Sequence, residues 1–425
     1  MFDRSAIPLQ AIHDHLDTPA AIQDRLRLCG ELPVVAVSGS RGKTTVACMF
    51  ESILRASGRA TGMWISSGVY ALGERLSGEL GPWQRVLLAV RHGELDIAVQ
   101  EMESATVLGV GLPEGTYPLA VITTICGNND ACLLSQDARV ERQAVEAVIR
   151  SVRSDGVVVA GADDFDVAEA AAASPATHAL FALRNANPVL QRHLRAGGTG
   201  AWVENDYLTV GDASNPHRII HVERIPATLD GALVFQVQNA LAAALAAYVA
   251  GVAPQHIQVG LSTYTPDPTV QPAACNIFEY NGARIVIDAP KTIWSLRMLM
   301  RGIRSLPRRR TMIVSGVFPA LPLDDVKDAG RLLGTLGAIV VLHADPRSSE
   351  RLEALRAGIA SAPTLPLVLL AKDETHAIDQ MLNKIGADDV ALVLASDPER
   401  ALEHLWPAPV ISIDPPARRK SDGKV

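Results

Sequence analysis

The chain has 425 residues, 48% of them hydrophobic and 20% charged, and a net charge of −7. That length exceeds one ordinary domain and predicts two or three. The acidic balance and the 4% aromatic content give no basis for nucleic-acid or anionic-membrane binding. Five cysteines, at 29, 48, 126, 132 and 275, are odd in number and form no C-x-x-C pair, which predicts a reduced, cytoplasmic setting. The start, Met-Phe-Asp-Arg-Ser, has no basic stretch followed by an apolar run, so no signal peptide is expected. Nor is a membrane span, since no uninterrupted apolar run reaches about 18 residues.

Residues 1–32 read as a helical lead-in of mixed polarity. Pro33 is followed by Val34-Val35-Ala36-Val37, a short β-branched run that ends at Ser38-Gly39 as a buried strand entering a loop would. Residues 44–57 have helical composition, with Gly58 as C-terminal cap. Strand-like runs recur at 97–99, 120–123 and 157–159, with helical stretches between them, notably 138–153. That alternation predicts a largely parallel sheet covered on both faces. Residues 181–222 carry short runs and turn residues and read as a small β-rich insertion. An Ala-rich helix over 238–250 closes at Gly251. Residues 265–274 hold three prolines in ten, which marks a linker. Beyond it, strand-like runs at 285–287, 312–314, 339–342, 367–370 and 391–394 alternate with helices, as in a Rossmann-like α/β domain.

Gly39-Ser40-Arg41-Gly42-Lys43-Thr44-Thr45 sits between the first strand and the first helix. Each part answers a physical demand. The glycines let the backbone turn tightly, so its N–H groups can point at phosphate oxygens. The following helix N-terminus adds its dipole. Lys43 brings a mobile positive charge to the outer phosphates, and Thr44 a hydroxyl for Mg²⁺. The loop is two spacer residues shorter than the common G-x-x-x-x-G-K-[ST] form.

The run Val35–Thr45 resembles the ATP-loop signature of Mur ligases and folylpolyglutamate synthases. Gly68-Val69-Tyr70, Ala162-Asp163-Asp164, Asn187-Pro188-Val189, Gln238-Asn239-Ala240-Leu241 and Asn276-Ile277-Phe278-Glu279 narrow the resemblance to the C-terminal, Mur-ligase-like half of cyanophycin synthetase. This resemblance implies a central P-loop ATPase domain over 33–268 with a mostly parallel sheet, and a C-terminal Rossmann-like ligase domain over 272–425. It implies ATP and Mg²⁺, a carboxylate activated as an acyl phosphate, and attack by an amine on an amino acid or short peptide. Lys43 would bind the β- and γ-phosphates, Thr44 and Glu101 the Mg²⁺, and Asn239 and Asp288 the adenosine. Lys291 would serve as an electrostatic stabiliser.

Several positions depart from the family pattern. Arg-Gly-Gly after the glutamate reads Ser104-Ala105-Thr106. The Asp-His metal motif reads Asn128-Asn129, and asparagine carries neither the charge nor the imidazole nitrogen. The lysine expected in the next helix has no equivalent. Pro-Gly-Arg reads Pro272-Ala273-Ala274, and Asp-Tyr-Ala-His-Asn-Pro reads Asp288-Ala289-Pro290-Lys291-Thr292-Ile293. Two functions therefore compete. One is an ATP-dependent carboxylate–amine ligase. The other is a catalytically degenerate nucleotide-binding subunit that supports a partner ligase or a homo-oligomer. A third, poly-γ-glutamate-type polymerisation, is argued against by the C-terminal domain.

Other residues weigh toward ordinary roles. Glu103 reads as a solvated neighbour of Glu101. Asp163-Asp164 suits a structural turn at least as well as catalysis. Asn239 could hold the adenine or cap its helix, and Asp288 could touch the ribose or end a strand. His92, His178, His193 and His343 lack ligand spacing and read as surface histidines. Cys126 and Cys132 have no evident base to make either a nucleophile.

Overall fold

The computed structural model describes residues 32–125, 135–344 and 348–405. The lead-in, Cys29, Cys126, Cys132 and Asn128-Asn129 lie outside the described residues. The chain divides into two compact units. One runs up to Gly231 and resumes over Phe235–Tyr264; the other comprises Ala232–Val234 and the described residues from Thr265 onward.

The first unit is built on β1 (Val34–Ser38), followed by α1 (Lys43–Ala56). β1 is buried along its whole length, as a central strand of a two-sided sheet must be. α1 buries Val46, Met49, Phe50, Ile53 and Leu54 on its inner side. β2 (Thr61–Ile65), β3 (Gly68–Ala71) and β4 (Glu74–Leu76) form an antiparallel run, and α2 (Leu80–Arg91) leads to β5 (Ile97–Glu101). A short helix α3 (Ser104–Val110), β6 (Tyr117–Ile122), α4 (Ser135–Arg150) and β7 (Val152–Gly161) follow. The predicted helix over 138–153 thus ends at Arg150. Ser151 turns the chain with its hydroxyl on the Val148 carbonyl, and β7 begins at once.

α5 (Phe165–Ala172), β8 (Thr177–Ala182), α6 (Pro188–Arg195), β9 (Gly200–Glu204), β10 (Tyr207–Gly211) and β11 (Pro216–His221) continue the unit. Helices α7 (Val234–Val249) and α8 (Pro254–Thr263) complete it. The strand order is β11-β10-β9-β8-β7-β6-β1-β5-β2-β3-β4. The strands from β9 to β2 are parallel, and the two flanks are antiparallel. The β-rich stretch 181–222 includes α6, and its strands extend this same sheet.

The second unit has a sheet ordered β12-β13-β17-β14-β15-β16. Its strands are β12 (Ala274–Tyr280), β13 (Ala283–Asp288), β14 (Thr311–Ser315), β15 (Ile339–His343), β16 (Leu367–Ala371) and β17 (Val390–Leu394). Among the described strands of this sheet only the β12–β13 pair is antiparallel. The helices between them, including α9 (Ile293–Ser305) after β13, make a doubly wound α/β layer.

Candidate functional site

The carboxyl end of β1 delivers Gly39–Gly42 directly into α1, the place where open α/β sheets bind ligands. Gly39 has φ +129° and Gly42 φ +77°, conformations an L side chain resists. A Cβ on Gly39 would lie 2.2 Å from Thr123 Oγ1, and one on Gly42 2.3 Å from Asn239 Oδ1. Gly42 occupies the N-cap of α1, where no side chain caps the helix and the first turn has no acidic residue. The positive end of the helix dipole therefore faces the loop without a carboxylate to neutralise it.

The loop is anchored by the two residues that follow β6. Ser40 donates from both its backbone N (2.7 Å) and its hydroxyl (3.1 Å) to the Thr124 carbonyl. Thr123 Oγ1 donates to the Arg41 carbonyl at 2.5 Å. Thr124 is itself held: its hydroxyl (2.7 Å) and Ile125 N (2.9 Å) donate to one Asp164 oxygen. The other Asp164 oxygen caps α5 at Val167 N. Asp163 accepts from Leu183 N at 2.7 Å and from Asn187 Nδ2 at 3.1 Å. The acidic pair is thus a structural brace, with Asp164 one step behind the loop.

β5 lies beside β1 in parallel register, with Val37 opposite Glu101. That register places the Glu101 carboxylate level with the loop. Thr44 Oγ1 lies 3.0 Å from each Glu101 oxygen, and Ser66 N donates to Oε2 at 3.0 Å. Lys43 Nζ lies 4.0 Å from Glu101 and 3.5 Å from Glu103. Burial raises the Glu101 carboxyl above the usual range, and Lys43 opposes that shift. Glu103 is exposed as expected of a solvated neighbour, yet it shares Lys43. A threonine hydroxyl against a carboxylate is an all-oxygen donor set, which suits a hard divalent cation completed by phosphates and water. Among the described residues no group of three or more His, Cys, Asp or Glu could hold a metal by itself.

Asn239 comes to the same loop. It lies inside α7, so it does not cap that helix. Its amide nitrogen donates to Gln236 Oε1 at 3.0 Å, and its oxygen faces Gly42.

Residues 37–247, which hold this whole arrangement, match the family model described as "Mur ligase middle domain". The chain carries a Mur ligase middle domain. Against the cyanophycin synthetase of Nostoc sp., 386 residues align at 27% identity, covering 88% of this chain and 42% of that protein. The chain therefore spans less than half the length of the curated relatives it matches. Escherichia coli FolC in complex with DHPP and ADP superposes with a TM-score of 0.65 at 17% identity, covering 95% of each chain. The bifunctional folylpolyglutamate synthase/dihydrofolate synthase of Yersinia pestis, complexed with AMPPNP and Mn ion, gives 0.64 at 16%, covering 94% of this chain and 96% of that one. The α/β fold is that of Mur ligases and folylpolyglutamate synthases.

Two predicted residues belong to the second unit, outside the Mur ligase middle domain. Asp288 ends β13 and accepts from Cys275 N (3.0 Å) and Cys275 Sγ (2.8 Å); burial pushes its carboxyl up to about 6. Lys291 is exposed, just ahead of the Thr292 cap of α9. Of the four histidines read as surface groups, His343 is buried and His178 and His193 are half-buried. His343 is buried at the end of β15, with Nε2 3.7 Å from Glu374. His193 is half-buried, its Nε2 3.0 Å from the Thr199 carbonyl, and burial lowers its pKa. Each sits on an element whose inner face is shut from water.

The sequence pointed to Lys43, Thr44 and Glu101 but missed Thr123, Thr124 and Ser66 as their supports. Two adjacent threonines closing a strand next to a phosphate loop were the available signal. Among the described residues no helix is long and apolar enough to cross a membrane.

Proposed function

We propose that the protein is an ATP-dependent ligase that joins a carboxylate to an amine, acting on an amino acid or short peptide. The observation that carries this is the convergence of Lys43, Thr44 and Glu101 on a loop whose two glycines take positive φ and pack too closely on Thr123 and Asn239 to carry a side chain. Lys43 would exchange its carboxylate partners for the β- and γ-phosphates. Thr44 and Glu101 would hold Mg²⁺, which supplies charge neutralisation on the phosphates when bound. The uncapped first turn of α1 would take up further phosphate charge. Asn239, packed on Gly42, would meet the nucleotide, and Asp288 and Lys291 keep the adenosine and stabilising roles that the family resemblance implies. Such a site would serve carboxylate activation as an acyl phosphate, because fixed positive groups stabilise a γ-phosphoryl as it transfers. The nucleotide-bound relatives in fold and the likeness to cyanophycin synthetases support this reading.

A second reading, a nucleotide-binding subunit without ligation, is favoured by one feature. Ser104-Ala105-Thr106 begins α3 beside Glu101 with no cation where the family pattern has Arg-Gly-Gly. ADP release with Mg·ATP and pooled amino acids and dipeptides, beside Lys43→Ala, separates the two. Release that needs both an added substrate and Lys43 supports the ligase. Lys43-dependent ATP binding without release supports the non-catalytic subunit.

A further inference from the structure

A cavity of ≈ 360 Å³ opens beside Glu101, between the end of β2, helix α2 and helix α3. That is the scale of a small-molecule site, roughly 300–1,000 Å³. Its walls are apolar: Trp64, Trp83, Leu87, Val107 and Val110 line it. Trp83, Leu87 and Val107 are core residues, and the Trp64 and Trp83 rings stand 5.6 Å apart at 50°. Phosphate binding makes no use of such a wall, since it needs cations and N–H groups.

The lining carries carboxylates and no cation of its own. Glu79, Glu101 and Glu103 line it, and Lys43, outside the lining, pairs with Glu101 and Glu103. Glu79 stands at the N-terminus of α2 and Glu103 at that of α3, so both helices present a carboxylate to the same opening. An apolar chamber with an anionic mouth excludes a free carboxylate and favours an ammonium group attached to an apolar body.

We propose that this cavity receives the aromatic or branched aliphatic side chain of a substrate bearing a primary ammonium group, which rests against Glu79. The role of that amine as the attacking substrate rests on the ligase reading; its binding does not. In the ligation the amine would give up one proton before attack and a second as the amide forms. Its nitrogen lone pair would make the bond to the acyl carbon, and the phosphate would leave with the electrons of the broken C–O bond.

Binding without ATP is the test, followed by calorimetry on the full chain. The probes are phenylalaninamide and tryptamine, with glycinamide and 3-phenylpropionate for comparison. The first two should bind at least tenfold tighter than the others, the usual scale for burying one aromatic side chain. Thr106→Trp, at an exposed position on the rim, should weaken amine binding about tenfold and leave ATP binding unchanged. Glu79→Gln, also exposed, should weaken the amines but not 3-phenylpropionate. Equal affinity for 3-phenylpropionate, equal affinity for glycinamide, or indifference to Thr106→Trp would each overturn the proposal. Amine binding that persists in a protein showing no ADP release would keep the cavity assignment and defeat the ligase reading alone.

Discussion

Replacing Gly42 by alanine isolates what the loop contributes. At φ +77° an L residue pays about 1–2 kcal/mol for the left-handed backbone. Gly42→Ala adds a second cost, because the new Cβ would meet Asn239 Oδ1 at 2.3 Å and Asn239 Cγ at 3.2 Å. The obstacle is a side chain, so it can rotate away by giving up the bond to Gln236, roughly 1 kcal/mol. The sum, about 2–3 kcal/mol, corresponds to a roughly 30- to 150-fold loss if the loop bears it as lost nucleotide affinity. Gly58 supplies the control: its φ is +82° and nothing lies within 4 Å of its Cβ position. Gly58→Ala should cost stability by about 1 kcal/mol and leave Mg·ATP affinity unchanged. Gly39→Ala should be worse than either, since Thr124 main-chain atoms stand at 2.8 and 3.0 Å and cannot move aside. Calorimetric titration with Mg·ATP, paired with urea denaturation, reads both quantities. Wild-type nucleotide affinity in Gly42→Ala would refute the claim that this conformation forms the phosphate cradle.

Three other outcomes are expected. Thr44→Val removes the hydroxyl shared with Glu101 and should weaken Mg²⁺-dependent nucleotide binding about tenfold while sparing binding in EDTA, as fluorescent-nucleotide titration would show. Asp164→Ala strips acceptors from Thr124, Ile125 and Val167 and should cost about 2–4 kcal/mol in urea denaturation, with the loop's affinity falling in parallel. Asp288 has its folded pKa raised to about 6 from 3.8, so the folded state holds that proton more tightly than the unfolded chain. Its contribution is present in full below pH 3.8 and is lost as pH rises through about 6; Asp288→Asn should flatten stability across that window.

The strand–loop–helix at 34–56 was legible because it is local: a β-branched run, two glycines, then helical composition. Glu101 was reachable through the motif, but its pairing with Thr44 depends on the register of β1 against β5, which one sequence does not display. The braces were hidden by distance along the chain. Asp164 supports a threonine 40 residues earlier, and Asn239 reaches a glycine nearly 200 residues before it. His343 was misjudged because the apolar run stops at Leu342. The histidine still belongs to a strand buried on both faces, so its flanking residue type concealed its surroundings.

Ligation through an activated carboxylate is tested most directly by oxygen-18 transfer. The protein is incubated with Mg·ATP and a pool of amino acids and short peptides whose carboxylates carry oxygen-18, and the released phosphate is analysed by mass spectrometry. One labelled oxygen in each substrate-dependent phosphate, absent with Lys43→Ala, is the predicted result. Substrate-dependent phosphate without the label, or no phosphate from a folded, ATP-binding protein across the pool, would contradict it.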